Sequence, residues 1–118
     1  MNTLKRKLTA ILSADVAGYS RLMDDDEVLT VRTLQAYQKI ISDLTQQHNG
    51  RVVDSPGDNL LTEFASVVDA VQCAVEIQQE LKAKNDELSD NRRMEFWIGI
   101  NQSDTDRILN TLRKAWLK

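Results

Sequence analysis

The chain has 118 residues, about one domain's worth, and its 42% hydrophobic and 28% charged residues exclude intrinsic disorder, collagen and a coiled coil. A formal net charge of −3 argues against non-specific nucleic-acid binding through a global positive field. One cysteine leaves no internal disulfide, and no apolar run approaches the roughly 18 residues that span a bilayer, so the expectation is a soluble, cytoplasmic domain without a membrane partner.

The chain opens on a basic end, Lys5-Arg6-Lys7, without the apolar stretch of a signal peptide. With Arg21 further on, this cluster could attract a phosphate, but a solvated basic end is the simpler reading. Leu8 to Leu12 is short and apolar and runs into Ser13-Ala14-Asp15, with Gly18 just beyond, the pattern of a buried strand entering a glycine-containing turn. A long helix follows. Asp24 to Glu27 stand at its start, where negative charge complements the helix dipole, and Val28, Val31, Leu34, Tyr37, Ile41 and Leu44 make one apolar stripe. His48-Asn49-Gly50 closes it, with Gly50 as the left-handed terminator.

Arg51-Val52-Val53 and Leu60 to Phe64 flank Asp54-Ser55-Pro56-Gly57-Asp58-Asn59, and a Pro-Gly pair between two apolar runs predicts a hairpin. Ser66 and Asp69 read as a capping box opening a second helix whose buried face is Val67, Val71, Ala74, Val75 and Leu81. Asn85 to Arg93 reads as a loop. Met94 to Ile100 reads as a strand with Met94, Phe96, Ile98 and Ile100 on one face. A second capping box, Ser103 and Asp106, then starts a terminal amphipathic helix through Ile108, Leu109, Leu112, Ala115 and Trp116.

The order β-α-β-β-α-β-α predicts an α+β, ferredoxin-like sandwich with an extra C-terminal helix, all of 1–118 forming a single domain. The helices lie on one face of an antiparallel sheet. Its other face needs a cover, from the last helix or from a partner, so dimerisation is expected.

Two carboxylates carry the chemistry. Asp15 ends the first strand and Asp58 sits at the hairpin turn, and in this topology the first strand lies beside the third, so both converge on one sheet edge. Two bare carboxylates 4 Å apart repel by about 4 kcal/mol at an effective dielectric near 20. A shared proton or a divalent cation relieves that repulsion, and all-oxygen ligands select a hard ion such as Mg²⁺ or Mn²⁺. Val16 to Ser20, turning from strand to helix, offers backbone N–H groups to a phosphate. By spacing alone, turn-forming aspartate is the commoner role at both positions.

The segment Arg6 to Asn101 resembles the first half of a class III nucleotidyl (adenylate/guanylate) cyclase catalytic domain. The resemblance rests on Ala10-Ile11-Leu12-Ser13-Ala14-Asp15-Val16-Ala17-Gly18-Tyr19-Ser20-Arg21-Leu22-Met23, on Gly50-Arg51-Val52-Val53, on Gly57-Asp58 and on Glu63 to Val71. It implies that Asp15 and Asp58 hold two ions, Mg²⁺ or Mn²⁺, with the Val16 carbonyl on one of them. It also implies that the amides of Ala17, Gly18, Tyr19 and Ser20 grip the phosphates of a nucleoside triphosphate, ATP or GTP, on the way to a cyclic nucleotide and pyrophosphate. The partner it implies is a second cyclase domain, in a homodimer or a heterodimer.

Two departures stand out. Asp54 occupies the place, four residues before the second metal aspartate, where the family has a base-reading lysine. After Asn101 the resemblance stops, and Gln102 to Lys118 reads as a non-family helix. The family's later half supplies the transition-state residues, so the expectation is a truncated or degenerate cyclase-like domain, the alternative being a non-catalytic dimerisation or regulatory module. Elsewhere, Cys73 reads as a core thiol, His48 as a dipole-complementing surface residue, and Trp97 and Trp116 as core or subunit contacts. A single histidine leaves no nucleophile triad, and no zinc spacing is present.

Overall fold

The computed structural model describes residues 8–104, in the order β1 (Leu8–Val16), α1 (Tyr19–Asp25), α2 (Glu27–Gln47), β2 (Arg51–Asp54), β3 (Leu60–Phe64), α3 (Val67–Asn85) and β4 (Phe96–Asp104). One 3₁₀ turn, Asp90–Arg92, precedes β4. The sheet runs β2-β3-β1-β4 and every neighbouring pair is antiparallel. β1 is therefore central: Leu12 stands opposite Thr62 on one side and Ile100 on the other.

Strand alternation sets the layers. Ala10, Leu12, Ala14 and Val16 of β1 join Leu60, Phe64 and Phe96 in one buried cluster with Leu34, Tyr37, Ile41 and Leu44 of α2 and Ala70, Cys73, Ile77 and Leu81 of α3. This is the expected ferredoxin-like sandwich, both long helices on one face. On the second face Ile11 and Leu61 are also buried, whereas Trp97, Gly99 and Asn101 are exposed. Among the described residues no helix is long and apolar enough to cross a membrane.

Several local expectations are corrected. The long helix is two: Asp26 adopts an extended backbone, and its carboxylate accepts from the Leu29 N–H at 3.0 Å, so it ends α1 and caps α2. Asp24 and Asp25 therefore close α1, and only Asp26 and Glu27 open α2. Val28, the intended start of the apolar stripe, is 63% exposed. The left-handed residue after α2 is Asn49 (φ 64°), not Gly50. Gly50 is needed for closeness: a Cβ there would lie 2.6 Å from Phe64 Cε2 and 2.8 Å from the Glu63 carbonyl oxygen.

In α3 the buried stripe is Ala70, Cys73, Ile77 and Leu81, while Val71 and Val75 face solvent. The valines were the more hydrophobic choice, but the sheet sits under the smaller side chains. Ser66 does cap the helix, accepting from the Val68 and Asp69 N–H groups. Asn85, read as loop, is the buried last residue of α3. It accepts from the Tyr37 hydroxyl at 2.7 Å and the Met94 N–H at 3.0 Å, and donates to the Met94 carbonyl. His48 is no free surface residue, since Nε2 lies 2.5 Å from Glu76 Oε2 on α3. Trp97 is 70% exposed and so does not fill the core. Ser103 and Asp104 belong to β4 rather than to a helix start. The remainder of the predicted terminal helix, with Trp116, and the basic Lys5 to Lys7 lie outside the described residues.

Candidate metal and phosphate site

β1 carries Asp15 on the sheet's second face, one residue from its end and opposite Trp97 of β4. Asp58 comes from the β2–β3 hairpin, where the Asn59 N–H closes a turn on the Pro56 carbonyl at 3.0 Å and Gly57 takes a positive φ of 61°. The fold brings these two acids, 43 positions apart in the sequence, into contact: the Asp15 and Asp58 carboxyl groups share a hydrogen bond. Partial burial, then the Asp58 charge and this hydrogen bond, push the Asp15 carboxyl above its ordinary range, and a hydrogen bond from the Val16 backbone opposes them in part. A pair held this close needs a proton or a cation between its oxygens.

The glycine turn follows directly. Gly18 is left-handed (φ 67°) and forms the N-cap of α1 without a side-chain cap bond. Only glycine adopts this conformation at no steric cost. The Ala17 N–H donates to the Glu95 carbonyl at 2.8 Å, so that amide is committed to the sheet end. Tyr19 and Ser20 start α1, and first-turn amides have no intrahelical acceptor. Of the four amides expected to grip a phosphate, that of Ala17 is therefore already engaged within the fold.

Two guanidinium groups flank the turn: Arg21, which the sequence offers as a phosphate-attracting charge, and Arg93, which falls in the stretch read as a loop. A cavity of about 410 Å³ is lined by Ala17, Gly18, Arg21, Asp90, Arg93 and Glu95. The Arg21 guanidinium sits 3.8 Å from where a Gly18 Cβ would be. Arg93 is held in place by Nε donating to the Asn85 and Leu88 carbonyls and by an ion pair with Asp90 at 3.1 Å. Arg21 was visible as part of a basic cluster. Arg93 was hidden in a polar stretch, and only the packing of α3 against the start of β4 aims it at the turn.

Asp54 lies in β2, with Oδ1 accepting from the Ser55 N–H. Among the described residues no group of three or more His, Cys, Asp or Glu side chains could hold a metal ion, so the acidic part of the site is the Asp15–Asp58 pair alone.

The chain is 42% identical over 103 residues to the protein named Putative adenylate cyclase 3 of Rhizobium meliloti (strain 1021), covering 86% of this chain and 18% of that protein. Among solved structures it resembles the adenylate/guanylate cyclase/hydrolase from Silicibacter pomeroyi, with 37% identity, a TM-score of 0.76, and coverage of 85% of this chain and 59% of that one. The guanylyl cyclase Cya2 matches at 26% identity and a TM-score of 0.72, over 84% of this chain and 55% of that one. The chain thus spans less than a fifth of its curated relative and a little over half of these solved domains. No family model matches the sequence.

Proposed function

This chain belongs to the class III adenylate/guanylate cyclase family and matches the N-terminal half of the catalytic domain, and from that premise we propose that it binds a divalent cation and the phosphates of a nucleoside triphosphate. The observation that carries the reading is the Asp15–Asp58 contact at the sheet edge next to the Gly18 turn.

The donor set fits a hard ion. Asp15 and Asp58 supply oxygens of one sign, and the Val16 carbonyl is the family's third contact. Mg²⁺ or Mn²⁺ would neutralise the pair and withdraw charge from phosphate oxygens. The chain's own contribution is placement. β1 fixes Asp15 through its pairing with β3 and β4, the hairpin fixes Asp58, and the left-handed Gly18 presents its own amide and those of Tyr19 and Ser20 to phosphate oxygens. Arg21 adds positive charge beside that turn. The reaction such a site would serve is conversion of ATP or GTP to cyclic nucleotide and pyrophosphate, with the transition-state residues of the family's later half supplied by a second cyclase domain. The alternative is a non-catalytic dimerisation or regulatory module.

The domain works paired with a second cyclase domain, as a homodimer or with another subunit. The exposed Trp97, Gly99 and Asn101 beside Asp15 support that pairing, because an indole left in water next to a polar site is typical of contact surfaces.

Thermal melting tests the binding reading. Millimolar Mn²⁺ with a non-hydrolysable ATP analogue raises Tm, and Asp15→Ala abolishes the rise; no shift in the unsubstituted chain rejects the reading. Cyclic-nucleotide formation from ATP and GTP, assayed alone and mixed with an intact cyclase, tests turnover separately.

A further inference from the structure

Four buried side-chain atoms among the described residues have no hydrogen-bond partner: Gln38 Nε2, Asn59 Oδ1, Thr62 Oγ1 and Arg92 Nε. Two are nitrogen donors, and Thr62 belongs to the helix-facing register of β3, opposite Leu12. Asn59 Oδ1 differs in chemistry and in place. It is a pure acceptor on a residue only 7% exposed, adjacent in sequence to Asp58. The β1–β3 ladder ends at Ala14↔Leu60, and the next residue on each side is Asp15 and Asn59. Asn59 therefore takes the register position across from Asp15. No donor reaches this amide oxygen, and a buried acceptor without a donor is costly. A hard cation satisfies such an oxygen as readily as it satisfies the carboxylates, and amide oxygens are ordinary ligands for such ions.

We infer that Asn59 Oδ1 is a further oxygen donor to the divalent cation held between Asp15 and Asp58. The inference rests on the proposed cation site and adds a neutral ligand to it. The hairpin then has a double task. Its turn carries Asp58 out of the ladder towards Asp15, while Asn59, hydrogen-bonded through its backbone to Pro56 and Ser55, fixes the amide oxygen on the same sheet edge. A neutral donor adds coordination without adding a third negative charge to a pair that already repels.

The test uses the whole chain and Mn²⁺ alone. Free Mn²⁺ is followed by electron paramagnetic resonance, and Tm is measured in chelator. Asn59→Leu, similar in volume and without the oxygen, weakens Mn²⁺ binding at least about 10-fold. Its Tm without divalent ions is equal to or above that of the parent, because an unsatisfied acceptor has been removed. Asn59→Asp keeps an oxygen donor, binds Mn²⁺ at least as tightly as the parent, and melts lower in chelator because a third carboxylate has joined the pair. Parental Mn²⁺ affinity in Asn59→Leu, or a lowered Tm in chelator with unchanged affinity, marks Asn59 as structural and overturns the inference while the cation site stands. If Asn59→Leu does not fold, weaker Mn²⁺ binding by Asn59→Asp overturns it. If the parent chain binds no Mn²⁺ and Asp15→Asn behaves identically, the proposed site itself is rejected.

Discussion

The two faces of β1 obey different rules although their residues alternate along one strand. Towards the helices stand Ala10, Leu12, Ala14 and Val16, all at most 5% exposed and all apolar. On the other face stand Thr9, Ile11, Ser13 and Asp15, more polar towards the C-terminal end, where the strand finishes on a carboxylate touching Asp58. The helix-facing set is what packing alone would choose. The second set ends in two carboxyl groups held together, a contact that folding does not need and the kind of local inconsistency that a functional site would impose. The difference predicts opposite signs: substitutions on the first face destabilise, and at the acidic end of the second face they leave stability unchanged or raise it.

The largest expected effect is on the helix-facing side. Leu12 is fully buried between the sheet and both long helices. Leu12→Ala lowers unfolding free energy by about 2–5 kcal/mol, read from urea denaturation at an unchanged m-value. An equal loss from Trp97→Ser would break the contrast. Next in size is Gly50→Ala. The new methyl would press on the Phe64 ring and the Glu63 carbonyl, and the required shift costs about 1–3 kcal/mol by the same measurement. A left-handed requirement at this position would be relieved by asparagine. Gly50→Asn instead destabilises at least as much as Gly50→Ala, because the constraint is space and the left-handed residue is Asn49.

That distinction shows what was legible in the sequence. The sequence of strands, the hairpin, the place of β1 beside β3 and the convergence of Asp15 and Asp58 followed from apolar runs, the Pro56-Gly57 turn and the family motifs, whereas the division of the first long helix at Asp26 did not. Less legible were features set by tertiary contacts. Gly50 looks like a helix terminator until Phe64 is seen over it. The α3 valines look buried until the sheet is seen to take Ala70, Cys73 and Ile77 instead. His48 gains its partner only because α2 and α3 run side by side, bringing Glu76 to it. Arg93 faces the Gly18 turn only because the α3 C-terminus anchors its Nε. Local periodicity names the elements, but which face a helix turns inward depends on what it meets.

On the acidic end the expected sign reverses. Asp15→Asn removes one of two touching carboxyl groups and raises stability in chelator by about 1 kcal/mol, a modest figure because the pair is only partly buried and solvent screens it. The pH dependence follows from the raised carboxyl. A folded-state pKa above the ordinary 3.8 means that the Asp15 contribution is fully present below about pH 4 and is lost as pH rises through the elevated value. In chelator the parent chain therefore loses stability across that window relative to Asp15→Asn, and millimolar Mn²⁺ restores it in the parent only. Thermal melts at stepped pH, with and without Mn²⁺, check both statements. A pH profile identical in the two proteins would mean that the carboxyl contact contributes nothing.

The smallest expected effect belongs to Trp97, and its smallness is the informative part. The indole stands opposite Asp15 in the β1–β4 ladder and is 70% exposed, so it leaves little water-excluded area to lose. Trp97→Ser changes unfolding free energy by no more than about 0.5 kcal/mol, as for surface positions generally. Association is where the change should register. If the Asp15 face meets a second cyclase domain, an exposed aromatic at its centre contributes to that contact far more than it contributes to the monomer. Sedimentation velocity over a concentration series separates the two: unchanged melting with weakened self-association places the role of Trp97 between subunits, and unchanged sedimentation in a parent chain that does self-associate removes it from the interface.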